Sequence, residues 1–241
     1  MLNQDSMTPL YVQLMHEVEK SIDNGEYKPG DKLLTESEMA KKYGVSLITV
    51  RKAIGSLMEQ GIVVRKQGKG TFVTKPKMAK NMKKLQSFSE MCAQMGVVPG
   101  AKMLVNRLVQ ADAKTAASLG IDPGSNVIHI SRLRYADHEP VQIENSYFPL
   151  KYAFLLDARF DDNSLFDHLR EKSGVYVVSS EKMIELCRAS AEEAELLGVK
   201  KGDAMLSVRS TAYDQNGEPM YAGVQVINGD RFTLYVYEEN Q

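Results

Sequence analysis

Residues 33–73 read LLTESEMAKKYGVSLITVRKAIGSLMEQGIVVRKQGKGTFV, and their pattern predicts the fold of the first part of the chain. Thr35 followed three residues later by Glu38 is the pattern of a helix capping box, in which each side chain bonds the backbone of the other residue. The pattern predicts a helix over residues 36–42. Gly44 ends this helix, because glycine readily adopts the positive φ that a helix stop requires.

A second helix is predicted directly after Ser46, whose hydroxyl can accept a hydrogen bond from the amide of Thr49. Its apolar residues recur at i, i+3, i+4 and i+7 and form one inward-facing stripe: Val50, Ala53, Ile54 and Leu57. The opposite face carries Ile48, Thr49, Arg51, Lys52 and Gly55.

A β-hairpin is predicted next, with strands at residues 62–64 and 71–73 and a basic turn at residues 65–70. Two helices across a tight turn, followed by a hairpin, form the layout of a winged helix-turn-helix, which places its second helix in the DNA major groove and a basic wing beside it. The alternative is an ordinary helical hairpin with a solvated basic turn. The position of the hairpin favours DNA binding.

Four motifs in this stretch resemble the DNA-binding domain of the GntR family of bacterial repressors: residues 35–40, 44–46, 49–53 and 68–73. The resemblance runs from Pro9 to Val73. It implies that Thr35 and Glu36 begin the helix that crosses the DNA backbone, and that the second helix contacts phosphates or base edges. It also implies that the wing approaches the minor groove. The expected DNA-binding residues are Thr35, Glu36, Ser46, Thr49, Arg51, Lys52, Gly68, Lys69 and Gly70.

Two positions depart from the family pattern. Ser37 and Leu47 stand where the family often has arginine. Because arginine is the commonest reader of guanine, an ordinary family operator is not expected. Leu47 also lies three residues before Val50, so a place in the core is the alternative for it.

Charge divides the chain unevenly. The whole chain has 30 Lys and Arg against 31 Asp and Glu, a formal net charge of −1. Residues 1–84 hold 15 basic and 9 acidic residues, a net charge of +6, whereas residues 85–241 hold 15 and 22, a net charge of −7. The asymmetry assigns DNA affinity to the first third of the chain.

Composition excludes several other classes of protein. No apolar run reaches 18 residues and no signal peptide precedes residue 10, so we expect no membrane span and a cytoplasmic protein. Cys92 and Cys187 have no neighbours at metal-ligand or redox spacing and are predicted to be buried free thiols. We expect neither a metal site nor a cofactor.

The chain is predicted to have two domains. Residues 1–75 form the winged helix-turn-helix, with a first helix over residues 9–24, and residues 85–241 form a second domain. Residues 76–84 are basic, contain Pro76 and lack a strong period, which predicts a linker, in part helical.

The second domain contains an internal repeat. Residues 119–124 recur as residues 197–202, each preceded by a short helix and followed by a strand, a turn with Glu-Pro and another strand. Hairpins interleaved with helices predict an α+β fold with a mostly antiparallel sheet. Helices are predicted at 111–119, 164–172 and 190–197; strands are predicted at 126–135, 141–148, 175–186, 204–213, 219–227 and 231–237.

This second half resembles the UTRA effector domain of the HutC branch of the GntR family, whose fold is similar to chorismate lyase. The resemblance covers residues 85–237 and rests on motifs at 85–89, 132–134, 139–140, 144, 163–166 and 229–232. Within the branch, the chain is most similar to regulators of amino-sugar and sugar-phosphate use. The resemblance implies a ligand-responsive repressor. We expect it to bind a palindromic operator as a homodimer, because dimers match two half-sites and most soluble homo-oligomers are two-fold.

A phosphate site is chemically reasonable in this domain. Arg132 and Arg134 lie two apart on a predicted strand and leave the same face, where two guanidinium groups can clamp phosphate oxygens. Ser164 begins a helix, whose free amides favour an anion. The alternatives are a solvated arginine pair and serines that only cap helices. The expected effector-binding residues are Ser87, Phe88, Ser89, Arg132, Arg134, Glu144, Ser164 and Phe166.

Two departures make the expected pocket less polar than the family pattern. Phe166 stands where the family often has tyrosine, and Ile227-Asn228 stands where it often has Tyr-Arg. The effector is therefore expected to be a sugar phosphate or conjugate other than N-acetylglucosamine 6-phosphate.

Three functions remain open from the sequence. The favoured one is a repressor whose operator binding responds to a small phosphorylated sugar. The second is a constitutive DNA-binding dimer with a non-sugar effector or none. The third is an enzyme, which the similarity to a lyase fold suggests but which no nucleophile–base spacing supports.

Overall fold

The computed structural model describes residues 2–4, 6–66, 68–75, 77–161 and 164–236. The chain divides into two compact units, Met1–Pro76 and Lys77–Gln241. Parts of four sequence predictions lie outside the described residues: Gln67 in the wing turn, Pro76 in the linker, Asn163 in the 163–166 motif and the end of the last strand at residue 237.

The first unit is a winged helix-turn-helix of three helices and one hairpin. The helices are α1 (Leu10–Asp23), α2 (Glu36–Tyr43) and α3 (Leu47–Glu59). The wing strands are β1 (Val63–Lys66) and β2 (Gly70–Val73), which pair antiparallel. The predicted capping box is present at Thr35 and Glu38, and Gly44 ends α2 at φ 67°.

One apolar core joins the helices and the wing of this unit. The α3 stripe of Val50, Ala53, Ile54 and Leu57 is buried, with Leu14 and Val18 of α1 packed in the same cluster. Each large apolar side chain buried in this way stabilises the fold by about 1.5–3 kcal/mol. Leu47 is 43% exposed, so the alternative that placed it in the core is wrong. Leu47 is the first residue of α3, at the end of the apolar stripe, where its side chain is only partly covered.

The second unit is α+β with a six-stranded antiparallel sheet. Its helices are α4 (Phe88–Gln94), α5 (Ala113–Leu119), α6 (Leu165–Ser173) and α7 (Ala191–Leu197), with a 3-10 helix over Leu150–Asp157. Its strands are β3 (Met78–Asn81), β4 (Pro99–Gln110), β5 (Asn126–Ala136), β6 (Glu139–Pro149), β7 (Val177–Arg188), β8 (Ala204–Asp214), β9 (Pro219–Asn228) and β10 (Phe232–Tyr235).

The internal repeat explains the order of the sheet, which is β4-β5-β6-β9-β8-β7. The units β4-α5-β5-β6 and β7-α7-β8-β9 follow the same path, and β6 and β9 meet at the centre. The central register pairs Glu144 with Gln225 and Tyr147 with Ala222. Adding the repeat offset of 78 to the first residue of each pair yields the second residue of the other pair. The two halves are thus related by an approximate two-fold axis.

The structure corrects two predictions in this unit. Residues 78–81, expected in a partly helical linker, form β3, which pairs parallel to β10. Met78 is only 3% exposed, and burying it stabilises this pairing. The strand β4 was not predicted. It lies at the edge of the sheet, so most of its side chains are only partly covered and its sequence lacks a clean alternation.

The cysteines behave differently from each other. Cys92 is buried in an apolar cluster, where burial raises the pKa of its thiol to about 11. Cys187 is only half-buried, so the prediction of a buried thiol is wrong for it. Its place on the edge strand β7 leaves one side open. Both are free thiols.

Within the described residues, no helix is long and apolar enough to cross a bilayer. The same part of the chain holds no group of three or more His, Cys, Asp and Glu side chains arranged to bind a metal ion.

Candidate functional site

The first turn of α3 is built by its own polar residues. Ser46 caps the helix, since its Oγ accepts a hydrogen bond from the Thr49 amide at 3.2 Å. The two hydroxyl groups also lie 2.9 Å apart. None of the nine residues predicted to contact DNA is buried, so the structure leaves all of them on the surface of the first unit.

Glu36 connects three elements of this surface. Its carboxylate accepts a hydrogen bond from Arg51 Nε of α3 at 2.8 Å and forms a second ion pair with Arg65 of β1. The Arg51 hydrogen bond lowers the pKa of Glu36, burial opposes this, and Arg65 lowers it further. Glu36 therefore orients two arginines. The sequence prediction placed Glu36 against DNA and did not include Arg65. Nothing in the residue spacing shows that the wing strand β1 lies beside α2.

The wing turn requires glycine for its backbone. Gly68 and Gly70 have φ of 71° and 122°, which side-chain-bearing residues rarely adopt. Lys69 lies exposed between them. Lys52 instead places its ammonium 3.9 Å from the ring centre of Tyr11, so it also braces α3 against α1.

Apolar side chains on the exposed side of α3 add a feature that the site prediction omitted. Ile48 is 77% exposed and Leu47 is 43% exposed at the start of the helix. Such side chains can contact the thymine methyl group in a major groove. The signal was visible in the sequence, since Ile48 stands on the polar face.

The second unit brings the predicted arginine pair against one carboxylate in its interior. Arg132 Nη2 donates to Glu144 Oε2 at 2.7 Å, and Arg134 Nη1 lies 3.7 Å from the same oxygen. All three side chains are almost fully buried. The alternative of a solvated arginine pair is therefore wrong. The cross-strand pairing of Arg132 with Glu144 places the charges on one face of β5 and β6.

Charge compensation governs the ionisation of this group. Burial by itself would raise the pKa of Glu144, but the positive charges of Arg132 and Arg134 outweigh burial and hold the pKa below its usual value. Arg134 also donates to Ser89 Oγ at 3.3 Å and places its guanidinium 4.6 Å from the ring centre of Phe88. The site is thus an ionised, preorganised cluster.

The predicted effector residues converge on a single small cavity of about 10 Å³, roughly the space for one water. Its lining consists of all eight of them together with Leu165: Ser87, Phe88, Ser89, Arg132, Arg134, Glu144, Ser164 and Phe166. Among the described residues, the buried Arg132 Nη1 has no hydrogen-bond partner, so one strong donor there is unused. Ser87 and Ser164 also cap α4 and α6, so the capping alternative is true of them as well.

A larger cavity of about 280 Å³ shares six of these lining residues. It continues across the sheet to residues that the sequence patterns did not indicate: Lys80, Gln142, Lys182, Ser210, Tyr221 and Gln225. They come from β3, β6, β7, β8 and β9, which are brought together by the folding of distant parts of the chain. We name the two spaces together the effector cavity, after the predicted effector residues that line both.

Two family descriptions match the chain. The one described as "Bacterial regulatory proteins, gntR family" matches residues 10–73, and the UTRA domain matches residues 94–233. The chain is 34% identical to the HTH-type transcriptional repressor NagR of Bacillus subtilis, over 98% of this chain and 97% of that protein. It is 30% identical to a probable fructoselysine utilization operon transcriptional repressor of Escherichia coli, over 94% and 93%.

A solved structure shares the architecture of both units. The crystal structure of PhnF from Mycobacterium smegmatis superposes with a TM-score of 0.67 at 26% identity, covering 95% of this chain and 100% of that one.

Proposed function

Since the chain belongs to the GntR family of bacterial regulatory proteins and carries a UTRA domain, we propose that it is a transcriptional repressor controlled by a small phosphorylated sugar or a related metabolite. Its family and its relatives are DNA-binding transcription regulators rather than enzymes, so the enzyme hypothesis is set aside. A repressor acts on chromosomal DNA, which places it in the cytoplasm.

The observation that carries the effector assignment is the buried arginine pair. Arg132 and Arg134 cost free energy to bury, and both lie against the carboxylate of Glu144. A phosphate accepts several charge-assisted hydrogen bonds, and guanidinium groups match its geometry. Ser89 lies beside Arg134, and the Ser164 hydroxyl lies at the start of α6, where the helix dipole favours an anion. The description of one relative as a fructoselysine utilization repressor supports a sugar-derived effector.

The DNA side of the proposal rests on the exposed face of α3 and on the wing. Arg51, held by Glu36, reads base edges, and Lys69 at the wing tip approaches the minor groove. With Ser37 and Leu47 in positions where the family often has arginine, the operator is expected to differ from the family's usual one.

We further propose that the protein acts as a homodimer. Two-fold dimers match palindromic operators and are the commonest soluble oligomers. The edge strand β7 carries four exposed apolar side chains, and an exposed edge of this length is one that proteins cover. They are Val178, Met183, Ile184 and Leu186. Sedimentation analysis tests this: Leu186→Lys should weaken the dimer, and a monomeric wild-type chain contradicts it.

A gel-shift titration tests the regulatory claim. The operator is first selected from random duplexes with the full chain, and each complex is then titrated with sugar phosphates. We expect at least one sugar phosphate to release DNA from the wild-type protein. We expect the Arg134→Ala variant to keep its DNA when the same compound is added. Operator binding that is indifferent to every compound contradicts the effector claim and favours the constitutive DNA-binding dimer.

A further inference from the structure

Two lysines outside the Arg132–Arg134 pair also line the effector cavity. They are Lys80 of β3 and Lys182 of β7, and both are half-buried. Lys80 Nζ donates to Gln225 Oε1 at 3.4 Å, and Lys182 Nζ donates to Ser180 Oγ at 2.6 Å. Neither of these two partners carries a charge, so they do not neutralise the ammonium groups.

Burial makes this arrangement unfavourable on its own. It lowers the pKa of both lysines; Glu144 opposes the shift at Lys80, and the nearby charge of Lys182 adds to it. Glu144 is already bonded to Arg132 and accepts from Gln225 Nε2 at 3.3 Å. The two ammonium groups therefore lie in a partly desolvated cavity, where a bound anion would stabilise both charges.

The charge of the whole cavity exceeds what one phosphate can neutralise. Six basic side chains line the effector cavity, and three acidic ones face them. A phosphate monoester carries about −1.5 to −2 charges at neutral pH, so positive charge remains after it binds. The basic residues are Lys80, Lys84, Arg132, Arg134, Arg170 and Lys182; the acidic ones are Glu90, Glu144 and Asp167.

Lys182 is separated from Arg132 by most of the width of the sheet. Arg132 on β5 and Lys182 on β7 are four strand spacings apart, or roughly 19 Å between backbones at about 4.8 Å per spacing. Their long side chains shorten this gap to the scale of a small molecule. Gln142 also lines the cavity; its Oε1 is buried and has no hydrogen-bond partner among the described residues, so it can accept from a ligand hydroxyl.

We propose that the effector carries a second acidic group, a carboxylate or a second phosphate, which Lys80 and Lys182 bind. This rests on the proposed function, in which a first phosphate binds Arg132 and Arg134. The effector is accordingly a hydroxylated chain or ring with an anionic group at each end.

Calorimetric binding to the full chain tests the proposal with matched probes. The probes are glucose 6-phosphate with glucose 1,6-bisphosphate, and fructose 6-phosphate with fructose 1,6-bisphosphate, at constant ionic strength. At least one bisphosphate should bind about tenfold tighter than its monophosphate, the factor expected of one added charge-assisted hydrogen bond. Lys80→Met and Lys182→Met should reduce this ratio towards one. Lys201→Met removes the same charge from an exposed position outside the cavity and should preserve the ratio.

The outcomes separate the two claims. Retained monophosphate binding by the lysine variants shows that they fold. If monophosphates bind but bisphosphates bind no tighter, or if the preference survives in both lysine variants, the second anion site is refuted while the proposed function stands. If no sugar phosphate of either kind binds, the proposed function itself fails.

Discussion

Removing Glu144 should leave the buried Arg132 guanidinium without its counter-charge. The side chains of the pair are only 3% and 9% exposed, and their nitrogen–oxygen distance is 2.7 Å. Breaking such a pair from one side costs about 3–5 kcal/mol, because the remaining charge stays buried. Glu144→Ala should therefore lower the free energy of unfolding by about this amount. For a unit of this size, that corresponds to a fall in Tm of roughly 6–20 °C.

The matched control is a surface pair on the same sheet. Glu185 pairs with Arg209 between β7 and β8, with side chains 46% and 41% exposed. Because solvent screens exposed pairs, Glu185→Ala should lower the free energy of unfolding far less than Glu144→Ala. The assay is urea unfolding of the full chain, followed by circular dichroism at a wavelength where the sheet dominates.

The effector assignment adds a second expectation for the same variants. In Glu144→Ala, Arg132 loses the carboxylate that pairs with it, so inorganic phosphate should restore more stability to this variant than to the wild type. Equal costs for Glu144→Ala and Glu185→Ala would refute the buried-charge reasoning. Equal stabilisation by phosphate in variant and wild type would refute the placement of the anion.

Four further predictions concern single positions. Arg51→Ala should weaken operator binding by about 1–3 kcal/mol in a gel shift and leave effector binding intact, because Arg51 is the exposed arginine of α3; unchanged affinity contradicts its reading role. Lys69→Ala should weaken binding to all sequences alike and reduce the slope of affinity against salt by about one, since its wing contact is electrostatic. Arg134→Ala should keep its operator affinity but should no longer release DNA when the effector is added, which a fluorescence-anisotropy titration would measure. Normal release of DNA would show that the effector does not depend on Arg134 for binding. Glu144→Gln should flatten the acid side of the pH–stability profile. The neighbouring positive charges outweigh burial and hold the pKa of Glu144 below 4.5 in the folded protein. The stability that ionised Glu144 contributes is therefore present above that pH and is lost as the pH falls through the folded-state pKa, which urea unfolding at a series of pH values would measure.

Local signals were enough to predict most of the elements. The Thr35 capping box, the Ser46 cap and the α3 stripe depend on neighbours within four residues, and the structure confirms each of them. The hairpins of the second unit were also predicted, since their alternation and turns are local. The short strand β3 was not, because its partner β10 lies near the other end of the chain. The edge strand β4 was not, because its sequence lacks a clean alternation.

The candidate sites divide in the same way. Residue spacing predicts that Arg132 and Arg134 share a face and that α3 presents Arg51, because side-chain direction follows the period of the strand and of the helix. Residue spacing does not show that the arginine pair is buried against Glu144, that Glu36 holds Arg51 and Arg65, or that Lys80 and Lys182 line the effector cavity; these contacts depend on the folded chain. Burial, counter-charge and cavity shape arise from strands brought together across long stretches of chain, and spacing along the sequence carries no record of them.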